Sequence, residues 1–311
     1  MYINRWWIYQ RERFPIFAHG PLILIFSLSA LSCSVLLRGE NSLPGIWNCT
    51  VAVLTPLLFF LQLRIIDEFK DFEEDSRYRP YRPVPRGLVS LSELGILGLV
   101  AAIVQAALAY SVDPRMLWLI FLVWAYLGLM SREFFLGEWL KKRPLPLMLS
   151  HMVIIPLIDL YATACDWMSA TGHPPPGLHW FLLVSYFNGM VLEIGRKTRS
   201  PASEEPGVIT YSAAWGRKLA IAAWLCSLLA TFATAVMAAA IIHSINSILV
   251  IFTILSLSAC AIAWGYLQKP EKNWGKVIEG FSGIWILLMY LNLGVLPLIW
   301  RWYAATVTMS P

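Results

Sequence analysis

Charge is scarce in this chain. Asp, Glu, Lys and Arg make up 14% of its 311 residues, while 58% are hydrophobic. Soluble domains carry about a quarter charged residues, so the composition excludes an ordinary water-soluble globule. Low-complexity stretches and basic nucleic-acid-binding segments are missing too, and no nucleic-acid partner is expected. The five cysteines (Cys33, Cys49, Cys165, Cys226 and Cys260) have no C-x-x-C spacing. That spacing argues against a redox pair or a zinc ribbon and leaves them as small apolar packing residues. No small-residue cleavage site follows the first apolar run, which is as long as a membrane span, so no cleavable signal peptide is expected.

Apolar runs are what the chain has in quantity. Stretches near the ~20 residues needed to cross a bilayer recur at 16–37, 46–65, 91–111, 115–131, 146–165, 177–195, 218–242, 247–267 and 280–300. Lipid offers the backbone no hydrogen-bond partners, so each run is expected to be helical. The fold class is therefore all-α, a polytopic membrane protein of nine transmembrane helices in one domain over 1–311.

The connecting segments alternate in charge. Of 24 Lys and Arg, only Arg38, Arg115 and Arg301 fall on one side of this layout. The rest share a side with the N-terminus. Basic residues are retained in the cytoplasm, so an integral protein of the cytoplasmic membrane is expected, N-terminus inside and C-terminus outside. The net charge of +5 then describes a cytoplasmic face, where some cations meet anionic membrane lipids. Two long loops on that side, about 64–90 and 193–217, follow predicted helices two and six. Their spacing hints at an internal pseudo-repeat of helices 1–4 and 5–8. The third such loop, 131–143, mixes aromatic and basic residues suited to the membrane surface.

The first loop carries the chemistry. If the preceding helix continues past Leu63, then Asp67, Asp71 and Asp75 recur one turn apart on one face. Unpaired carboxylates so placed repel each other, and a divalent cation removes that repulsion. Oxygen ligands suit Mg²⁺, which keeps water and shares phosphate oxygens. The plainer reading is a solvated helix end balanced by Arg64, Lys70 and Arg77. Downstream, Pro80, Pro83 and Pro85 stiffen the backbone that carries Arg79, Arg82 and Arg86, and Gly87 permits a tight turn. Guanidinium forks bind phosphate. Acid for metal beside base for phosphate points to a phosphorylated ligand.

This stretch resembles the first signature of the UbiA superfamily of intramembrane prenyltransferases. That signature runs Asn-Asp-x-x-Asp-x-x-x-Asp and continues into an arginine–proline loop closed by glycine. Here the acidic part is Asp67-Glu68-x-x-Asp71-x-x-x-Asp75, and the basic part runs from Arg79 to Gly87. The resemblance implies a helical bundle around a central cavity. It also implies Mg²⁺ on Asp67, Glu68, Asp71 and Asp75, and an isoprenyl diphosphate whose prenyl group passes to a lipophilic or aromatic acceptor. Asp71, Asp75, Arg82 and Arg86 would be the catalytic set, with Arg64 and Arg79 among the substrate contacts.

The second family signature, Lys-Asp-x-x-Asp-x-x-x-Asp then Gly-x-x-Thr, matches poorly. Lys197, Gly207 and Thr210 fit, but the aspartates fall on Thr198, Pro201 and Glu205. Glu193 and Glu205, with Glu204 beside the latter, are the carboxylates left to hold metal. Glu193 with Lys197 reads equally as an i,i+4 ion pair. Arg196 and Lys197 remain as diphosphate contacts. Lys141 and Lys142 stand where the family has a diphosphate-binding lysine, without its Tyr-x-x-x-Lys spacing. Asn188 reads as a cavity or helix–helix contact, His151 likewise, and Asp159 as a structural hydrogen bond inside a span. The altered second signature keeps two alternatives open: a terpene cyclase of this superfamily, and a non-catalytic or transport-related lipid-diphosphate binder.

Overall fold

The computed structural model describes residues 2–204, 210–269 and 273–308. Every regular element among them is helical, as the apolar runs require. In chain order these are α1 (Tyr2–Arg13), α2 (Ile16–Leu37), α3 (Ile46–Lys70), α4 (Phe72–Tyr78) and α5 (Leu91–Val112). Next come α6 (Met116–Ser131), α7 (Gly137–Lys141), α8 (Pro144–Met152), α9 (Ile154–Ala170) and α10 (Leu178–Arg196). The last are α11 (Tyr211–Trp215), α12 (Arg217–Ile241), α13 (Ile245–Gln268), α14 (Trp274–Leu293) and α15 (Val295–Thr308).

Among the described residues, eight segments are long and apolar enough to cross a bilayer; α8 with α9 forms one of them, α14 with α15 another. The remaining expected span, 115–131, is the 16-residue α6. At 1.5 Å per residue it reaches about 24 Å, short of the ~30 Å hydrocarbon core. Two expected spans contain breaks. Pro156 removes a backbone donor near the α8–α9 junction. At Gly294 a Cβ would run into the backbone of Ser29, so the α14–α15 turn packs directly on α2.

The spans close into a ring. Contacts run α2–α3–α5–α6–α9–α10–α12–α13–α14 and back to α2. Outward faces carry exposed residues such as Leu99, Phe121, Leu257 and Trp264, which suits lipid. Inward faces use small residues for close approach: Gly195 lies against Ser282, and Gly189 against Met152 and Ile155. Asp159 is wholly buried, accepting hydrogen bonds from Ser185 and from the Tyr290 hydroxyl at 3.3 Å. It is a structural contact, as the sequence predicts. Arg38 binds Asp166 through two hydrogen bonds of 2.9 and 2.8 Å, fastening α2 to α9 at the end that also holds Arg115. The acidic run and the arginine loop lie at the other end.

Candidate diphosphate and cation site

The apolar helix α3 does not stop at the membrane edge but runs on to Lys70. Its hydrogen-bond ladder then continues. The N–H of Asp71 donates to the Asp67 carbonyl (2.9 Å), that of Asp75 to Asp71 (2.7 Å), and that of Arg79 to Asp75 (2.8 Å). The three aspartates are one turn apart, as their spacing predicts, with a junction at Asp71 (φ −94°, ψ 5°).

Their side chains nevertheless part company. Asp67 is 48% exposed and stands 3.6 Å from Arg64. Asp71 makes no ion pair among the described residues. Burial, then the negative charges of Asp67 and Asp75, push its carboxyl up to about 6. Asp75 is 1% exposed and faces arginines: Arg79 on Oδ1 at 2.8 Å, Arg82 on Oδ2 at 2.5 Å, and Arg13 at 3.8 Å. Glu68, 2% exposed, pairs with the same Arg13. Arg13 comes from α1, and sequence reasoning missed it, since nothing near it signals a partner 55 residues away.

The loop after α4 turns tightly. Arg82 N–H donates to the Arg79 carbonyl at 3.0 Å, and Gly87 adopts φ +74°, which only glycine takes without strain. Ser90 and Glu93 then form a reciprocal cap that starts α5. Arg86 lies at the surface, 3.0 Å from Glu12.

The second loop is basic in effect. Glu193 is held by Arg196 and Lys197, each at 2.7 Å. Thr198 donates to the Ile194 carbonyl at 2.7 Å. The Glu204 carboxylate accepts from the hydroxyls of Thr210 (2.7 and 2.8 Å) and Ser212 (2.8 Å), which shapes the loop. Lys197 lies 5.8 Å from the centre of the Tyr211 ring. Glu205 and Gly207 lie outside the described residues.

A third loop joins them. Glu133, Phe134 and Phe135 have φ of +48°, +54° and +59°, three successive left-handed residues, each a strained choice for an L-amino acid. Lys70 fixes Glu133 at 2.5 Å, and His151 approaches its other oxygen at 3.3 Å. Sequence reasoning read Lys70 only as a balancing charge for the acidic helix end and did not single out Glu133. Lys141 and Lys142 are both exposed; Lys141 lines the cavity beside this turn and Lys142 does not.

Two cavities flank the acidic helix end. One of about 230 Å³ lies inside the ring; Phe26, Phe60 and Tyr290 form its wall, and Arg64, Asp67 and Arg196 its polar rim. Phe26 stands edge-on to Phe60 and to Tyr290, with centroids 5.7 and 5.1 Å apart. Asn188 also lines this cavity, buried, its amide without a hydrogen-bond partner. The second cavity, about 850 Å³, is polar and includes Asp71, Glu74, Arg79, Lys141, Lys197 and Tyr211. Asp67 thus borders the apolar cavity and Asp71, one turn on, the polar one. Among the described residues no three carboxylate, His or Cys side chains converge as a metal cage. Mg²⁺ does not need one: one or two carboxylates with water and phosphate oxygens suit it. Asp67 and Asp71 offer that donor set.

A family model described as the UbiA prenyltransferase family matches residues 24–282. Among solved structures, the apo structure of a UbiA homolog from Aeropyrum pernix K1 is similar, with a TM-score of 0.62 and 16% identity. That match covers 88% of this chain and 95% of the other. A digeranylgeranylglyceryl phosphate synthase structure matches with a TM-score of 0.56 and 16% identity, covering 91% and 97%. No curated protein sequence matches the chain.

Proposed function

Since the chain belongs to the UbiA prenyltransferase family, we propose that it ionises an isoprenyl diphosphate within the membrane and transfers the prenyl group to a lipophilic or aromatic acceptor. One observation carries this reading above the rest: Asp67 and Asp71, one helical turn apart, border an aromatic-walled cavity and a cavity lined by charged groups of both signs respectively. A molecule with an apolar tail and a diphosphate head spans that boundary.

The residues divide the work by chemistry. Phe26, Phe60 and Tyr290 enclose the prenyl tail, exclude water, and turn π-faces and edges toward the allylic cation as it develops. Arg79, Lys141 and Lys197 surround the diphosphate in the polar cavity, and Arg64 and Arg196 meet it from the apolar side. These cations are held in place before the reaction, so they stabilise the departing diphosphate with little reorganisation. Asp67 and Asp71 would hold Mg²⁺, which supplies charge neutralisation at the diphosphate when bound. Arg82 stays on Asp75, and Arg86 stands at the loop surface. Asn188 offers an amide to whatever polar group enters the apolar cavity. The excess of Lys and Arg at this end of the bundle supports a cytoplasmic site with the N-terminus inside.

The test is turnover of prenyl diphosphates of increasing length by detergent-purified protein with Mg²⁺, with and without aromatic and lipid acceptors. Diphosphate release that requires an acceptor is expected. Asp71→Ala should lower the rate by about 10²–10³-fold, the scale of losing one preorganised electrostatic contact. Terpene formed without acceptor would make the protein a cyclase. Binding without release under any condition would make it a non-catalytic carrier.

A further inference from the structure

One buried amide on the apolar cavity has no work within the fold. Asn188 on α10 is 1% exposed and lines that cavity, and neither its side-chain nitrogen nor its oxygen has a hydrogen-bond partner. Its polar neighbour, the Tyr290 hydroxyl, donates instead to Asp159 at 3.3 Å. Burying an unpaired amide is costly, and an apolar side chain of the same shape would spare that cost. An amide kept on a cavity wall is completed by a group on whatever fills the cavity.

The cavity is layered, and Asn188 belongs to its deeper layer. The wall runs from His19 to Phe26 on α2, from Asp67 back to Phe60 on α3, and from Arg196 back to Asn188 on α10. Those steps of seven or eight residues span about 10–12 Å of helix. The rim layer is charged. There the Arg64 guanidinium turns to Asp67 at 3.6 Å, and that of Arg196 to Glu193 at 2.7 Å. His19, whose Nδ1 also lacks a partner, stands at the rim too, two turns from Phe26. The deeper layer sets Phe26, Phe60 and Tyr290 around the amide, and no described Lys or Arg lines the wall at that depth.

The chemistry of the amide selects its partner. Nδ2 donates and Oδ1 accepts, and a hydroxyl answers both, since it accepts and donates in turn. A carboxylate or phosphate only accepts. It would leave Oδ1 unpaired and bury charge away from the rim cations, which is unfavourable. The wall selects a ring. Phe26 stands edge-on to Phe60 and Tyr290, a geometry that extends to a further aromatic group. An apolar cavity of about 150 Å³ holds benzene, and this one, about 230 Å³, holds a ring with the first carbons of a prenyl chain.

We propose that Asn188 is the residue that recognises the acceptor, and that the acceptor is a neutral phenol-type ring whose hydroxyl pairs with the Asn188 amide while its reacting carbon faces the charged rim. The inference deepens the transferase reading and rests on it.

Equilibrium dialysis of β-naphthol, its methyl ether and β-naphthoate with the full-length protein in nanodiscs, against empty nanodiscs, tests the recognition without turnover. The ether keeps the ring but cannot donate, and the naphthoate carries a carboxylate in place of the hydroxyl. In the wild type, naphthol should bind about tenfold or more tighter than either. Asn188→Leu keeps the volume and removes both polar atoms, and it should bring naphthol down to the affinity of the ether. Its unfolding midpoint without ligand should not fall below that of the wild type, because an unpaired amide has left the interior. A variant that fails to fold loses all three ligands, and the wild-type preference then decides alone. Equal binding of naphthol and ether to the wild type would overturn the proposal, as would a preference that survives Asn188→Leu. Tighter binding of naphthoate would also overturn it and move recognition to Arg64 and Arg196. The preference without transfer from any prenyl diphosphate leaves the hydroxyl site standing and overturns the transferase reading; transfer without the preference does the reverse.

Discussion

Asp71 is under electrostatic tension at the site. Its carboxyl is raised to about 6 by burial and by the charges of Asp67 and Asp75. A raised carboxylate favours the folded state while protonated, so the cation-free protein should lose stability as pH rises from about 4 to 6. Asp71→Asn removes that penalty. Without divalent cations at pH 7.5 it should unfold later than the wild type by roughly 1–2 kcal/mol, after allowance for its partial exposure. Thermal unfolding in detergent at pH 4.5 and 7.5 measures this, and the difference should shrink at the lower pH. Arg13 predicts the opposite. Its side chain is 9% exposed and touches two buried carboxylates. Arg13→Leu should cost about 3–5 kcal/mol, because both partners lose a buried cation. The same thermal scan reports it, and an unchanged midpoint would show that α1 does not close the site.

At the scale of elements, the α14–α15 turn is a sharp test of packing. Gly294 meets the backbone of Ser29, leaving no room for a Cβ. Gly294→Ala should therefore destabilise by about 1–3 kcal/mol through overpacking, seen as a lower unfolding midpoint. This break was hidden in the sequence. The run 280–300 reads as one span because hydropathy averages over the turn, and a glycine in a membrane helix has several uses. The extension of α3 to Lys70 was easier to read, since Asp67, Asp71 and Asp75 share one face only if the helix goes on. The left-handed turn at Glu133–Phe135 carries no glycine to announce it. It is imposed by Lys70 and His151, which reach Glu133 from α3 and α8.

For the whole molecule, the charge partition makes a topological prediction. Reporter fusions should place the N-terminus in the cytoplasm and the C-terminus outside. Phosphatase activity on a C-terminal fusion checks this, and a silent C-terminal fusion with an active N-terminal one would invert the orientation. The ring that closes where α14 meets α2 encloses an aromatic-walled cavity, and the acidic run sits at its rim rather than on a free surface loop.

The sequence alone determined the helical class, the approximate spans and the basic end of the bundle, and it singled out the stretch from Asp67 to Gly87 as the candidate site. Those are properties of local pattern, because a bilayer-length apolar run and a four-residue spacing each force one backbone geometry. Tertiary structure decided which charges are available and which are spent. Asp75 and Glu68 differ from Asp67 and Asp71 only because Arg13, Arg79 and Arg82 reach the first pair and not the second. Glu193 is likewise tied up by Arg196 and Lys197. Spacing places a carboxylate on a helix face, but its partners come from wherever the folded chain brings a guanidinium or ammonium within reach, and that distance has no signature along the sequence.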